Sequence, residues 1–489
     1  MDANKNEQLK KSTFDGMLWI FGERMSAKLV SFLVTLVLAR LLMPEDYSVI
    51  SVAAIFFTFC NVFIYGGLSA ALVQKKDADS LDYSSVLWVT MLIAAALYGV
   101  AYLSAPGIAL LYNKEQLTAV IRFMGLDFFV LAVKSVLNAY TSSNLQFRKF
   151  FYATLGGTLI SAVVGITMAL CGFGVWALVA QEMTNNFIDT LMLLFTTRMK
   201  VRLRCSWKRL KGLLSFGLHN FASSLVSIFY DQLSPMAIGL RFSTVDLAYY
   251  TKGRSIPGLI DTTLTQTMTE VLFPVMAKAQ DDLDDVRNMT RRYLRTASYV
   301  IFPIMVGLAV VSDSFVRLAL TEKWMNCAVY IRLFSLSGMV GLVSVGCIQA
   351  MRAIGRSDVV LKLELVKKAL SLVLLVVFLV TAKEPEALAV CACLTNVMAF
   401  CVNAGAGKRL LNYGLWRQLW DVLPNLLLSL VMAVPVALLG RLPLPDILLL
   451  PAQILTGGAV YVGLSLITRN ESFRFVLKLV RQKLSGSKE

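Results

Sequence analysis

Long apolar runs recur along this sequence, with only short polar connections between them. A membrane-spanning helix needs about 20 mostly apolar residues, and 57% of the 489 residues are hydrophobic while 16% are charged. A soluble domain usually has about 25% charged residues. We therefore expect an all-α integral membrane protein, which excludes a cytosolic enzyme, a secreted disulfide scaffold, a disordered chain and an outer-membrane barrel. The runs predict fourteen transmembrane helices, at residues 14–42, 46–73, 81–111, 116–146, 149–171, 173–197, 211–240, 243–275, 290–311, 326–351, 357–381, 386–411, 417–440 and 447–467.

Lys and Arg residues are concentrated in alternate connections. With the N-terminus in the cytoplasm, 31 of the 47 basic residues fall on the cytoplasmic side and 6 on the opposite side. Such a bias orients helices in a membrane. It predicts a multi-pass protein of the cytoplasmic (inner) membrane with both termini in the cytoplasm. The net charge of +16 then reflects topology and attraction to anionic lipids, so we expect no nucleic-acid partner.

A basic segment divides the chain into two halves with a faint internal likeness. Arg40 is followed by Asp46-Tyr47, as Arg241 is followed by Asp246 and Tyr249. Duplicated six-helix bundles are common in transporters, so we expect two six-helix lobes around a central cavity plus two C-terminal helices. The predicted division is a cytoplasmic N-terminal tail at 1–13, an N-lobe of spans 1–6 at 14–197, a basic cytoplasmic linker at 198–210, a C-lobe of spans 7–12 at 211–411, spans 13–14 at 412–467 and a basic cytoplasmic tail at 468–489.

Metal, nucleotide and redox motifs are lacking. The eight cysteines show no CxxC spacing, and His219 is the only histidine, so a zinc site is not expected. The sequence contains no Walker loop, dinucleotide-binding fingerprint or nucleophile elbow. We therefore expect no metal, no cofactor and no ATP-driven transport by this chain alone.

Nineteen charged residues lie inside the predicted spans. Each costs about 2.5–3.5 kcal/mol at a lipid-facing midplane, so most must be paired, close to an interface or in contact with water. Glu364 and Lys368, four residues apart, are expected to pair within one helix. Asp15, Arg40 and Asp189 lie near helix ends, where a side chain can extend to the interface.

Other charges lack such an explanation. Arg24 and Lys28 have the same sign and are one turn apart, so they cannot neutralise each other, and Arg254 and Asp261 share one face of span eight. We predict that cations line a hydrated cavity that suits a phosphate or pyrophosphate. The candidates for substrate binding are Arg24, Lys28, Arg122, Lys134, Lys252 and Arg254. The alternative is that these charges form ion pairs between helices and only stabilise the bundle.

Several short segments, in this order and spacing, resemble the Wzx-type polysaccharide flippases, especially their WzxC-like branch, within the multidrug/oligosaccharidyl-lipid/polysaccharide transporter superfamily. The likeness extends over essentially the whole chain. The segments are ARLLMPEDY at 39–47, GGL at 66–68 followed by ALVQ at 71–74, FG at 216–217 followed by Asp231, FPV at 273–275, EKW at 322–324 and GRSD at 355–358. The chain departs from the family at Thr321-Glu322, where the family often has Gly, so this turn is expected to differ.

The resemblance implies a fourteen-helix transporter that works by alternating access. It implies a substrate, an undecaprenyl-pyrophosphate-linked oligosaccharide, that moves to the outer leaflet for lipopolysaccharide, capsule or exopolysaccharide assembly. Membrane lipids, a glycan polymerase and export machinery are the implied partners. Relatives are proposed to use ion gradients, and the candidates for ion coupling here are Asp231, Asp261 and Glu270.

The sequence also bears on three other functions. A cation-coupled drug antiporter of the same superfamily would favour an acidic, aromatic cavity. A membrane glycan polymerase or ligase usually carries a substantial outer loop, whereas the longest outer connection here is the short stretch around residues 312–325. A purely structural scaffold is disfavoured by the charges inside the spans.

Overall fold

The protein is helical throughout the part that its structure, a computed structural model, describes. That part comprises residues 28–75, 78–144, 146–197, 199, 206–474 and 477, and it contains no strand. The fold class predicted from the sequence, an all-α membrane protein, is confirmed. Arg24 and the whole predicted N-terminal tail at 1–13 lie outside the described residues.

Seventeen α-helices are numbered in chain order. They are α1 (28–41), α2 (Pro44–Tyr65), α3 (Leu68–Gln74), α4 (Ser80–Leu111), α5 (Gln116–Met124), α6 (Asp127–Ser143), α7 (Phe147–Leu170), α8 (Val175–Thr197), α9 (Trp207–Arg241), α10 (Thr244–Lys278), α11 (Leu283–Val310), α12 (Ser312–Phe315), α13 (Cys327–Ala353), α14 (Ser357–Thr381), α15 (Glu386–Leu411), α16 (Leu415–Leu439) and α17 (Asp446–Ile467). A π-helical turn (Val316–Leu320) and a 3₁₀ turn (Glu322–Trp324) connect α12 to α13.

The predicted spans coincide with helices wherever the structure describes them. Two spans consist of two successive helices, because the chain breaks at Gly66-Gly67 between α2 and α3 and at Gly125 between α5 and α6. Within the described residues, eight helical segments are long and apolar enough to cross a membrane by length and composition: Pro44–Gln74, Ser80–Leu111, Arg148–Leu170, Leu283–Val310, Cys327–Ala353, Glu386–Leu411, Leu415–Leu439 and Asp446–Ile467. The total of fourteen spans stays a prediction.

The chain divides into two compact units, Met1–Ala248 and Tyr249–Glu489. In the first unit, α9 packs against α2, α3 and α4. Glycines allow this approach, because a Cβ atom at Gly217 would lie 3.2 Å from the backbone carbonyl carbon of Gly67. We predicted that α9 belongs to the second lobe, whereas among the described residues it packs against three helices of the first unit. The six-plus-six-plus-two division stays a prediction.

The core of the second unit is built around α11, which packs against α13 and α16. Pro303 lies inside α11, and a proline has no amide hydrogen to donate to the carbonyl four residues earlier. That carbonyl belongs to Tyr299, and it accepts a hydrogen bond from the Tyr461 hydroxyl of α17 at 2.8 Å. The proline thereby frees an acceptor that connects α11 to α17.

Large apolar side chains cover the outer faces of α14, α16 and α17. Leu365, Val380 and Ile467, for example, are 62%, 73% and 79% exposed. Contiguous apolar surface on this scale is unusual in soluble monomers, whereas hydrocarbon chains of lipid solvate it without cost. These faces are therefore the lipid-facing surface of the second unit.

Candidate functional site

Four polar side chains of α6 and α8 form a connected group, which we call the α6–α8 charge cluster: Asp127, Lys134, Asn186 and Asp189. The Lys134 Nζ atom lies 2.7 Å from an Asp189 carboxylate oxygen and donates to the Asn186 side-chain oxygen at 3.0 Å. The Asn186 amide nitrogen in turn donates to Asp127 at 2.6 Å. Residues 127 and 134 lie two turns apart on α6, and residues 186 and 189 one turn apart on α8, so each pair shares a helix face.

This cluster changes the interpretation of two residues. Asp189 was expected to reach an interface from near a helix end, but it is buried and paired with Lys134. That expectation was wrong, because a partner on the neighbouring helix stabilises the carboxylate in place. Lys134, a predicted substrate-binding residue, has its charge satisfied inside the first unit. One oxygen each of Asp127 and Asp189 is buried and accepts no hydrogen bond within the described ranges.

Arg122 lies on α5 and contacts α4. Its Nε atom donates to the backbone carbonyl of Tyr102 at 3.3 Å, and its guanidinium carbon lies 4.1 Å from the centre of the Tyr102 ring. Pro106 interrupts α4 four residues later, so the Tyr102 carbonyl has no helical amide as a donor. Arg122 supplies the missing donor, which gives this predicted binding residue a structural contact.

Arg254 on α10 is exposed and has a different environment. Its guanidinium carbon lies 5.9 Å from the centre of the Phe334 ring on α13. Among the residues that the structure describes, no carboxylate forms an ion pair with it. A ring face attracts a cation only modestly at an exposed site, by about 0.5–1 kcal/mol. The guanidinium hydrogens of Arg254 are thus left available to an anion.

Lys252 lies two residues earlier on α10 but is buried. Its Nζ atom lies 5.7 Å from the centre of the Trp324 ring, and Trp324 is fully buried. The backbones of α10 and α13 approach closely here, because a Cβ atom at Gly253 would lie 2.4 Å from Tyr330. The two cations therefore differ in environment, as expected for residues two positions apart, whose side chains point about 200° apart around a helix.

Asp261 lies two turns after Arg254 on α10 and is partly buried. A Cβ atom at Gly341 of α13 would lie 3.8 Å from one of its carboxylate oxygens, so glycine leaves space beside the carboxylate. Thr265 donates to it at 3.5 Å, and no Lys or Arg pairs with it within the described part of the chain. This environment suits a carboxylate that exchanges a proton or a cation.

The remaining candidates are placed as follows. Lys28, on α1, is the first described residue and is partly exposed. Asp231 is exposed on α9. Glu270 belongs to α10, but its side chain lies outside the described residues, as does Arg24. Within the described part, Arg254 and Asp261 thus combine a span position with an ionic group that forms no ion pair, whereas Arg122 donates to a backbone carbonyl.

Two other charged residues inside the spans have local partners. Arg332 on α13 donates to Asp313 at 3.0 Å. Glu364, for which the sequence predicted Lys368 as partner, accepts a hydrogen bond from Lys367 at 2.6 Å. The expectation that most charges inside the spans are paired thus holds for these two residues.

Sequence reasoning missed one charged group of the second unit. The Asp421 carboxylate of α16 accepts from Arg291 at 2.8 Å, from Arg295 at 2.8 Å and from the Tyr413 hydroxyl at 2.8 Å. Burial, and then the hydrogen bond to Asp421, raises the pKa of Tyr413, so its hydroxyl stays protonated and donates. The signal was present in the sequence, because Arg291 and Arg295 are one turn apart on α11 and have the same sign.

No group of three or more metal-binding side chains occurs among the residues that the structure describes. The fold and the described charges define a helical membrane protein with ionic groups inside its spans, and the comparisons agree with that class.

The chain belongs to the polysaccharide biosynthesis protein family, whose profile matches residues 37–329. It is 23% identical over 338 residues to the lipopolysaccharide biosynthesis protein WzxC of Escherichia coli (strain K12), which covers 68% of each chain. It is 24% identical over 350 residues to a membrane protein encoded in the cps region of Klebsiella pneumoniae, which covers 69% of this chain and 70% of the relative. The predicted resemblance to Wzx-type flippases is confirmed.

A solved structure shows the same fold. The lipid II flippase MurJ, in an inward closed conformation, superposes with a TM-score of 0.74 at 15% sequence identity, covering 92% of this chain and 99% of MurJ. The predicted all-α fold is therefore confirmed.

Proposed function

We propose that this protein is a flippase that moves undecaprenyl-pyrophosphate-linked oligosaccharide repeat units across the cytoplasmic membrane by alternating access. The observation that carries the proposal is the family membership over residues 37–329, together with a transporter fold over 92% of the chain. The protein acts as a transporter and not as an enzyme. It works in lipopolysaccharide, capsule or exopolysaccharide assembly.

Physical chemistry supports this function. A pyrophosphate and a chain of sugar hydroxyls cannot enter hydrocarbon unaided, because unsatisfied polar groups and charges are costly there. A cationic, water-accessible site inside the membrane lowers that barrier, and the isoprenoid tail can stay in lipid. Arg254 is the described candidate for contacting the diphosphate, because it is exposed and has no carboxylate partner in the described part.

Coupling to an ion gradient would give the transport its direction. Asp261 is the described acid that suits this role, because it is partly buried beside Gly341 and lacks an ion pair in the described part. Asp231 and Glu270 stay candidates on the sequence alone. Both termini are proposed to be cytoplasmic, and a glycan polymerase and export machinery are the proposed partners.

Deletion of the gene, followed by analysis of the glycolipids, tests the function. We expect complete lipid-linked repeat units to accumulate on the cytoplasmic leaflet. Accumulation of single units already on the outer leaflet would indicate a polymerase and overturn the proposal.

Arg254 provides a test at a single residue. We expect Arg254→Ala to abolish surface glycan at unchanged protein abundance, because the diphosphate loses its cation. Arg254→Lys keeps the charge but not the two-pronged geometry and should retain part of the export. Arg332→Ala serves as the matched control and should retain export, because Arg332 is a span arginine that donates to Asp313 and is not a predicted binding residue. Normal export by Arg254→Ala would remove Arg254 from the site.

A further inference from the structure

A groove lies between α14 and α15, where α14 begins and α15 ends. Its volume is about 510 Å³, within the range of about 300–1,000 Å³ that is typical of ligand sites. Arg356, Lys362 and Arg409 belong to its lining and are exposed, and we call these three residues its rim. Apolar side chains, among them Leu363 and Val402, line its walls. We call this feature the α14–α15 groove.

The charge of the α14–α15 groove is positive. Among the described residues, no Asp or Glu belongs to its lining, although the exposed Asp358 pairs with Arg356 at 3.1 Å and also attracts Lys362. Arg409 is exposed and forms no ion pair with any residue in the described ranges. Three cations and one neighbouring carboxylate leave an excess of two positive charges. A bias toward basic residues at one membrane face explains their number, but not their convergence on one cavity.

Gly405 keeps the groove open. It is exposed on α15 and lines the groove, and a Cβ atom built on it would meet no atom within 4 Å. A larger side chain here would therefore enter the groove without displacing a neighbour. The apolar walls continue into the lipid-facing surface of α14, where Leu361 and Leu365 are 63% and 62% exposed.

We propose that the α14–α15 groove binds the phosphate headgroup of an anionic membrane phospholipid, with the acyl chains along the exposed face of α14. Cations at the rim attract the phosphate, and the apolar walls contact the glycerol backbone and the first methylene groups. A free phosphate ion would use only the rim. The site is separate from Arg254 and does not depend on the proposed function.

The test uses the full-length protein in detergent micelles, titrated with short-chain phosphatidylglycerol and followed by native mass spectrometry. The proposal predicts that phosphatidylglycerol binds more tightly than phosphatidylcholine. The variant Lys362→Gln/Arg409→Gln should bind phosphatidylglycerol roughly 30-fold more weakly, since each basic residue contributes about 1 kcal/mol near an anionic surface. Gly405→Trp should also reduce binding, at unchanged rim charge, because the indole occupies the cavity.

Matched controls distinguish lipid binding in the groove from general attraction of the lipid to the protein. Gly463 on α17 also has open space around a built Cβ atom, so Gly463→Trp adds the same bulk elsewhere and should leave phosphatidylglycerol binding unchanged. Inorganic phosphate at millimolar concentration should not displace the lipid. Unchanged phosphatidylglycerol binding in both the double variant and Gly405→Trp would overturn the proposal. Displacement of the lipid by inorganic phosphate would also overturn it, as would a loss of lipid binding in Gly463→Trp equal to that in Gly405→Trp.

Discussion

Replacing Asp421 by Asn tests how much one buried carboxylate stabilises the second unit. The Asp421 side chain is 3% exposed and lies between Arg291, whose side chain is 51% exposed, and Arg295, whose side chain is 34% exposed. The replacement keeps the size of the side chain and removes its charge. Two guanidinium groups then lose their shared counter-ion.

The expected cost follows from these exposures. Breaking a fully buried ion pair costs about 3–5 kcal/mol, because a charge is left without a partner. Here both arginines reach water, which compensates part of the loss, and Arg295 keeps Glu471 at 2.8 Å. We therefore expect Asp421→Asn to lower the free energy of unfolding by about 2–3 kcal/mol. Tyr413→Phe removes one hydrogen bond to the same carboxylate and should cost about 1 kcal/mol.

Equilibrium unfolding in mixed micelles, followed by tryptophan fluorescence, measures both values. The decisive result is which of the two variants lowers the free energy of unfolding more. If Asp421→Asn costs no more than Tyr413→Phe, the carboxylate is not the main electrostatic connection between α11 and α16, and the reasoning fails. A double variant with Arg291→Gln should cost less than the two single variants added together, because residues in direct contact are not independent.

Three further predictions concern the first unit. Lys134→Met should lower the free energy of unfolding by roughly 3–5 kcal/mol, because it leaves Asp189 buried without its ion-pair partner. The double variant Lys134→Met/Asp189→Leu should recover most of that stability in unfolding assays. Recovery of stability without recovery of glycan export would show that Lys134 also contacts substrate. Asp79 lies outside the spans, and its hydrogen bond with Arg209 lowers its pKa to about 2. A carboxyl group whose pKa is lower in the folded than in the unfolded chain stabilises the folded state at pH values above its unfolded-chain pKa of about 3.9. This contribution is lost as the pH falls toward 2. The thermal stability of the wild type should therefore exceed that of Asp79→Asn at pH 7, and the difference should disappear by about pH 2; a constant difference would contradict the pairing. Gly217→Val should destabilise the packing of α9 on α3, where even a Cβ atom lies 3.2 Å from backbone, and a cysteine cross-link between those helices should form less efficiently.

The position of the spans could be predicted from the sequence alone, because a membrane imposes one requirement on every segment that crosses it. Each span must be about 20 residues long and mostly apolar, and this requirement is local. The breaks within two spans, at Gly66-Gly67 and Gly125, involve glycines that were visible in the sequence. The partner of α9 was not predictable, because chain order does not determine which helices pack together.

Less of the candidate site than of the fold could be predicted from the sequence. The sequence identified the charges inside the spans but left open, for each, whether it is paired. For Lys134, the neighbour on α8 supplies a carboxylate, and for Arg122, Pro106 leaves a carbonyl without a donor. For Arg254, the neighbouring helix α13 offers an aromatic ring.

Length and hydropathy thus determined that this chain is a polytopic helical membrane protein, since those properties act one segment at a time. Tertiary structure decided which charges are neutralised within the protein and which stay available to a ligand. The reason is that an ion pair between helices requires contact within about 4 Å of residues far apart in the chain. Lys134 and Asp189 are 55 positions apart in the chain, but the Lys134 Nζ atom lies 2.7 Å from an Asp189 carboxylate oxygen. No periodicity in the sequence predicts that contact.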